Sequence, residues 1–428
     1  MYKPVAQIEV RIWGQRVGAL ALDPRLKFYA FEYDPAFIRT GIELAPLTMP
    51  LAQANAPFIF TDLPELTFKR LPALLADALP DKFGNTLIDG WMAQHGVEKS
   101  AVTPLDRLAY MSKRGMGALE FRPARGPHAS IASTALSLAE LVESARQAVQ
   151  GNVGDDPSAR TALAQIIKVG TSAGGARAKA VIAWNPDTED IRAGQFDVAS
   201  GFEHWLLKFD GMGPDNELGE SENYGRIEYA YSLMAQAAGI SMSPCRLLKR
   251  DGRAHFMTKR FDRDGNRKHH LQTLCAMAHL DYNQRASHDY NQLFLAIDRL
   301  DLGYQAREEA FRRMAFNVMA ANCDDHTKNF SFLLKEGSAW ALAPAYDVTH
   351  AYNPHGEWTN QHLMSVNGKF AGISRADLLV VADRFGLGTA KDVVQMVATA
   401  VKSWPEYAGR AGLPSTETAR IQKDLRIL

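Results

Sequence analysis

The chain has 428 residues, 46% hydrophobic and 22% charged, and its 48 Lys+Arg offset 48 Asp+Glu for a formal net charge of zero. That length exceeds one compact core, so two or three domains are expected, and the composition is that of a folded soluble protein. The neutral balance argues against a protein whose main business is holding nucleic-acid phosphates, although a local basic face stays open. The three cysteines, Cys245, Cys275 and Cys323, lie far apart with no metal-ligand or paired spacing, so they read as reduced thiols and the expected location is cytoplasmic. The stretch Met1-Tyr-Lys-Pro-Val-Ala-Gln is not a signal peptide, and no apolar run approaches the roughly 18 residues of a membrane span.

Gln7 to Trp13 alternates apolar and polar residues, Gly14-Gln15 turns the chain, and Val17 to Leu22 continues as a second strand. Leu26 to Tyr33 offers a third strand. A proline-punctuated stretch runs from Pro46 to Pro64, and a helical segment follows from Leu71 to about His95, which Pro80 must break. Ser112 to Arg122 adds a glycine turn and a strand. No catalytic constellation stands in this region, which reads as a small α+β module over residues 1–125. Pro123 to Pro127 suits a boundary, Leu136 to Val149 is an amphipathic helix, and Gly151 to Pro157 is a surface loop.

Residues 126–264 carry the nucleotide-binding features. Ile166–Val169 and Ala180–Trp184 read as strands flanking the glycine-rich Gly170-Thr-Ser-Ala-Gly-Gly-Ala-Arg-Ala-Lys179. Such a turn can bring backbone N–H groups close to phosphates. Ala176-Arg177 stands where a Walker loop requires Lys-Ser/Thr, so that motif is rejected and a glycine loop across a hairpin fits better. In the next strand, His204 to Phe209, Lys208 shares a face with Leu206. An ammonium in so apolar a strand needs an anion, a phosphate or a carboxylate, or else it reaches solvent from the strand end. Glu228, on a helix ending at Gly239, is the best carboxylate candidate, with Glu222 as the fallback. Strands Cys245–Lys249 and Ala254–Lys259 follow, and Met257 to Phe261 is placed as a hinge against an adenine.

Residues 265–428 are mostly helical, with helices expected at Tyr290–Arg299, Ala306–Ala321, Arg375–Phe385, Ala390–Lys402 and Thr416–Leu425. Between them stands Asp324-Asp-His-Thr-Lys-Asn329, then a hairpin from Phe330 to Leu342 turning at Glu336-Gly337, then Asp347. The Asp-x-x-x-x-Asn spacing is that of a protein-kinase catalytic loop. Phosphoryl transfer needs a carboxylate to orient and deprotonate the attacking hydroxyl, and oxygen ligands for Mg²⁺. Asp324, Asn329 and Asp347 stand in the right order for those roles. Taken alone, the loop could equally be one whose Asp and Asn satisfy local backbone groups. The order of glycine turn, strand lysine, helix glutamate, hinge, catalytic loop and metal aspartate favours the kinase reading.

With those residues assembled, the chain resembles the HipA family of serine/threonine kinases over nearly its full length. The resemblance rests on Leu79-Pro-Asp-Lys-Phe-Gly84, Arg114-Gly-Met-Gly-Ala-Leu-Glu-Phe121, Ser172-Ala-Gly-Gly-Ala-Arg-Ala-Lys179, Lys208, Arg260-Phe-Asp-Arg263, Asp324 to Asn329 and Tyr346-Asp347. It implies a two-lobed, protein-kinase-like α+β fold with the N-terminal module added, and ATP with Mg²⁺ as cofactors. It also implies transfer to a protein serine or threonine, with translation components such as aminoacyl-tRNA synthetases among the family's targets. Nucleotide contacts are implied for Ser172, Gly174, Gly175, Lys179, Lys208, Lys259, Phe261, His326 and Lys328, and metal contacts for Asn329 and Asp347. Ser172 stands where the family carries an autophosphorylated serine that silences the kinase. The implied partner is a small helix-turn-helix antitoxin of HipB type, with DNA reached only through it and no membrane contact. Lys259 departs from a glutamate common at the hinge, and His269 to Cys275 lacks the expected acidic pattern, which leaves the target open. Two other readings stand beside this one: a small-molecule phosphotransferase on a kinase-like fold, and a largely non-catalytic co-repressor of a DNA-binding antitoxin.

Overall fold

The computed structural model describes residues 2–126, 137–149, 178–211, 223–250 and 252–428. The expected strand at 166–169, the glycine loop with Ser172, Gly174 and Gly175, the 151–157 loop and Glu222 lie outside the described residues. The chain divides into two compact units, one of Met1–Met212, Lys259–Gln272 and Leu333–Ala339 and one of Gly213–Thr258, Thr273–Phe332 and Trp340–Leu428.

The first unit begins with a four-stranded antiparallel sheet of order β3-β2-β1-β4, built from β1 (Gln7–Ile12), β2 (Gln15–Leu22), β3 (Tyr29–Tyr33) and β4 (Glu120–Arg122). Period-2 alternation sends Ile8, Val10 and Ile12 of β1 and Tyr29, Phe31 and Tyr33 of β3 into the core. Gly18 in β2 has no room for a side chain, because a Cβ there would sit 2.2 Å from the Glu32 carbonyl oxygen. Pro80 does break the helical run: one turn spans Ala73–Ala76, and a new helix runs Lys82–Gln94.

Asp81 starts that second helix. Its Oδ1 accepts from Gly84 N at 2.7 Å, while its Oδ2 lies 3.1 Å from Lys179 Nζ, both side chains being buried. Lys179 opens β5 (Lys179–Trp184), which lies between β6 (Ile191–Ala193) and β7 (Glu203–Lys208) in antiparallel order β6-β5-β7. All six residues of β5 are buried, so its sequence reads as a continuous apolar run rather than an alternation. Sequence periodicity misses β6, since three residues are too few to show a period.

The tightest polar centre of this unit is Asp262. Its carboxylate is fully buried and accepts from Arg260 Nε at 2.9 Å, Arg260 Nη2 at 2.7 Å, Arg263 Nη1 at 2.7 Å and Gly117 N at 2.7 Å. Arg263 also donates to the carbonyls of Gly115 at 3.1 Å and Gly117 at 3.0 Å. Arg260-Phe-Asp-Arg263 and Arg114-Gly-Met-Gly117, two separate segments of the resemblance, are thus one hydrogen-bonded knot. Burial alone would raise the Asp262 carboxyl, but the two guanidiniums and Gly117 N hold it well below the usual carboxylate range.

The second unit is mainly helical. The β8–β9 hairpin (Cys245–Arg250 and Arg253–Lys259) turns through Gly252 at φ 76°. Helix Tyr224–Ala237 packs so closely on β9 that a Cβ on Gly225 would meet the Ala254 carbonyl at 2.0 Å. Helices at Tyr290–Arg299, Gly303–Met319, Arg375–Arg384, Ala390–Lys402 and Ser415–Gln422 match the periodic stretches. A further helix, Trp404–Ala411, was not legible from periodicity. It is fixed by Trp404, which is fully buried with its ring 5.2 Å from that of Tyr231. Among the described residues no helix is long and apolar enough to cross a membrane.

Asp262→Ala should cost about 3–5 kcal/mol, because it leaves two buried guanidiniums without their anion. Urea unfolding of the variant checks this. A depressed carboxyl contributes stability above its unfolded value near 3.9 that is lost as pH falls, so wild type should lose this margin in acid and Asp262→Ala should not.

Candidate functional site

The site grows from the C-terminal end of helix Gly303–Met319. Tyr231 OH donates to Ala320 O at 2.7 Å, and Ala321 turns out of the helix in the left-handed region at φ 52°. Asn322 pairs with Ala351 as an isolated parallel bridge, and Cys323 N donates to Ala351 O at 3.1 Å. The loop Asp324–Asn329 is therefore tethered before its first carboxylate.

The two adjacent carboxylates have opposite fates. Asp325 is buried and accepts Tyr290 OH on Oδ2 at 2.7 Å and Leu363 N on Oδ1 at 2.7 Å, and His362 Nδ1 lies 2.9 Å from Oδ2. Tyr290 OH is itself held by Asn317 Nδ2 at 3.0 Å, and Asn317 Oδ1 accepts from Asn322 Nδ2 at 2.9 Å. Asp324, by contrast, has a side chain 49% exposed, with His326 Nε2 at 3.8 Å. Successive loop residues point to opposite sides, so one carboxylate anchors the loop and the other is presented to solvent.

His362 is buried, which by itself lowers an imidazolium, but the Asp325 carboxylate and Cys323 raise it to about 10. Its Nε2 faces Cys323 Sγ at 3.9 Å.

The loop closes in a 3₁₀ turn, Thr327–Asn329, where Asn329 Nδ2 donates to Asp324 O at 2.6 Å. The Asn329 amide oxygen is therefore not used by that bond. Three consecutive side chains of the turn meet one segment: Thr327 Oγ1 donates to Leu280 O at 2.9 Å, Lys328 Nζ lies 4.6 Å from the Tyr282 ring centroid, and the His326 ring is 5.5 Å from it. Tyr346 OH donates to Lys328 O at 2.6 Å and bonds to Ser331 Oγ, which places Asp347 directly after a fixed residue. Asp347 itself adopts φ 52°, a left-handed conformation that costs a non-glycine residue about 1–3 kcal/mol. Asn329, Asp347, Asp325, Asn317, Asn322 and Tyr346 help line a cavity of about 20 Å³, room for one water-sized atom.

The structure thus brings Asp324, His326, Lys328, Asn329 and Asp347 into one locality of the second unit. Glu228 is on helix Tyr224–Ala237 of the same unit and is buried. Lys208 ends β7 of the first unit, in register with Lys179. Lys179 faces Asp81 as described, Lys259 Nζ lies 2.6 Å from Glu203, and Phe261 is half-buried between the knotted Arg260 and Asp262. Sequence reasoning missed Asp325, Tyr290, Asn317 and His362. The signal was the second acid itself, next to Asp324 in a loop that leads into the buried strand Ser331–Leu334. His362 sits in a stretch without periodicity and carried none.

A Mg²⁺ ion suits the donor types present. Among the described residues no group of three or more His, Cys, Asp and Glu is placed to hold a metal ion. One carboxylate and one amide oxygen, Asp347 and Asn329, are instead the sparse oxygen set that Mg²⁺ accepts, since it keeps waters and substrate phosphates in its shell.

Comparison with known proteins places this site in a family context. A search of curated proteins finds no match. Among solved structures, the chain is similar to HipA from Shewanella oneidensis MR-1 in its complex with HipB and operator DNA. The TM-score is 0.67 at 17% identity, covering 97% of this chain and 95% of that one. The Helicobacter pylori proinflammatory kinase CtkA aligns at a TM-score of 0.34 and 13% identity, over 52% of this chain and 88% of that one. The fold is thus that of HipA, and the expected α+β class of this type holds. The HipA N-terminal domain model matches residues 8–122 and the HipA-like C-terminal domain model residues 171–404, so the chain belongs to the HipA family.

Proposed function

We propose that the chain is a HipA-type toxin that acts as an ATP- and Mg²⁺-dependent serine/threonine protein kinase. The observation that carries this reading is the division of labour at Asp324-Asp325. A carboxylate exposed at a rigidly anchored position is what a phosphoryl acceptor requires, because it must meet a hydroxyl delivered from solvent without reorganising. Asp324 orients that hydroxyl and takes its proton as the new P–O bond forms and the γ-phosphorus bond to the bridging oxygen breaks, with ADP as the leaving group. Asn329 and Asp347 would hold Mg²⁺, which when bound neutralises charge developing on the transferred phosphoryl group. The left-handed Asp347 and the tethered Tyr346 fix the direction of the second carboxylate in advance. Lys328, in the same loop and with Nζ 4.6 Å from the Tyr282 ring centroid, supplies a positive charge near the site.

Lys208 is assigned to nucleotide phosphates, with Glu228 as its ion partner, and Ser172 to autophosphorylation. A phosphate on Ser172 adds about −1.5 to −2 charge in a loop meant to cradle phosphates, which disfavours nucleotide binding. Both the membership of the HipA family and the likeness to a HipA complexed with HipB and DNA support a small DNA-binding antitoxin as partner. DNA would then be reached through that partner, in keeping with the zero net charge.

Asp324→Asn and Asp347→Asn should each abolish phosphate transfer from Mg²⁺-ATP while leaving the circular dichroism spectrum unchanged. Asp347→Asn should in addition weaken Mg²⁺-dependent ATP binding, and normal turnover by either variant would sink the assignment. Lys208→Met should raise the ATP KM, and Glu228→Gln should reproduce part of that effect. A fully active Glu228→Gln beside a dead Glu222→Gln would move the partner to Glu222. Intact-mass spectrometry after incubation with Mg²⁺-ATP should find one phosphate on Ser172 in wild type and none in Asp324→Asn.

A further inference from the structure

We propose that His362 is a positioning residue for phosphoryl transfer, acting through Asp325 to fix the orientation of Asp324. The inference rests on the kinase reading of Asp324 and assigns a role to a residue 37 positions downstream of the loop anchor. Asp325 sits at the centre of three contacts from two parts of the chain: Tyr290 at the start of helix Tyr290–Arg299, and the adjacent His362 side chain and Leu363 backbone N–H. His362 and Leu363 are consecutive, so one short segment grips both carboxylate oxygens. That segment is itself held, because His362 N donates to Phe370 O at 2.9 Å.

The geometry makes the grip depend on charge. Asp325 is buried, and the cationic partner that faces it is the His362 ring, whose Nδ1 lies 2.9 Å from Oδ2. The groups facing His362 are Asp325 and Cys323, and both favour its protonated form. An isolated buried carboxylate would be expelled toward water or protonated. Either outcome would rotate the Asp325 peptide, and the preceding residue is Asp324. A displacement of about 1 Å at a reacting group can cost roughly a hundredfold in rate. His362 acts on Asp325, whereas Mg²⁺ is assigned to Asn329 and Asp347, so kcat should change far more than ATP KM.

The test uses the full chain, with phosphate transfer from Mg²⁺-ATP into casein and into the chain itself as activity readouts. His362→Gln and Asp325→Asn should lower kcat about ten- to a hundredfold while ATP KM stays within about twofold. NMR of the histidine rings should show His362 protonated at neutral pH in wild type and neutral in Asp325→Asn. If His362→Gln fails to fold, Tyr290→Phe removes one hydrogen bond from Asp325 and should still lower kcat several-fold with KM unchanged. A folded His362→Gln or Tyr290→Phe with wild-type kcat, beside an inactive Asp324→Asn, overturns this inference and leaves the kinase reading intact. Full activity in Asp324→Asn overturns both. A rise in ATP KM equal to the fall in kcat/KM would overturn the positioning role in favour of general loosening of the site.

Discussion

A carboxylate with no exposure to water must find its counter-charge inside the protein, and the first unit is organised around how Asp262 does so. Two guanidiniums and one backbone N–H converge on it, and the same guanidiniums reach on to the carbonyls of Gly115 and Gly117. Gly117 N and Asp262 are 145 residues apart in sequence. The knot therefore sews the glycine turn that precedes β4 to the chain that follows β9. Because β4 pairs with β1, the position of the whole N-terminal sheet follows from this one centre. Such a network contributes little net energy over apolar packing of the same volume, but breaking it at one partner is expensive. Its value here is that it accepts only one arrangement of the segments it joins.

A second buried ion pair repeats the logic at smaller scale. Asp81 uses one oxygen to cap helix Lys82–Gln94 and the other to hold Lys179 at the start of β5. One side chain thus sets both where a helix begins and where a strand of a different sheet lies.

In the second unit the corresponding constraint is Asp325. The loop around it combines tethering on both sides with left-handed residues at Ala321 and Asp347. Strained backbone of this kind persists only where neighbouring contacts over-determine it. Here those contacts are the Ala351 bridge before the loop, and after it the hydrogen bonds of Tyr346 to Lys328 and Ser331. The result is a preorganised set of oxygen atoms, Asp324 outward and Asn329 with Asp347 around a small cavity, which suits chemistry that works by placement rather than by covalent attack.

The sequence by itself determined what recurs over short distances. The β1–β2 turn at Gly14, the break at Pro80, the β8–β9 hairpin and the helices from Tyr290 onward all follow from period-2 or 3.6-residue patterning and from residues that force or forbid particular φ values. The order of acids and amide in Asp324 to Asn329, with Asp347 beyond a hairpin, was equally plain. What it could not decide is which of two adjacent aspartates faces water. That depends on Tyr290, which lies 35 residues upstream of Asp325, and on His362, which lies downstream. Short or aperiodic elements such as β6 and helix Trp404–Ala411 were also invisible, since the tertiary contacts of a few side chains, not a local pattern, hold them. Charges buried in pairs fall in the same class. Asp81, Lys179 and Asp262 look like ordinary surface residues until the fold removes water from them, and only then does each need the particular partner that the tertiary structure supplies.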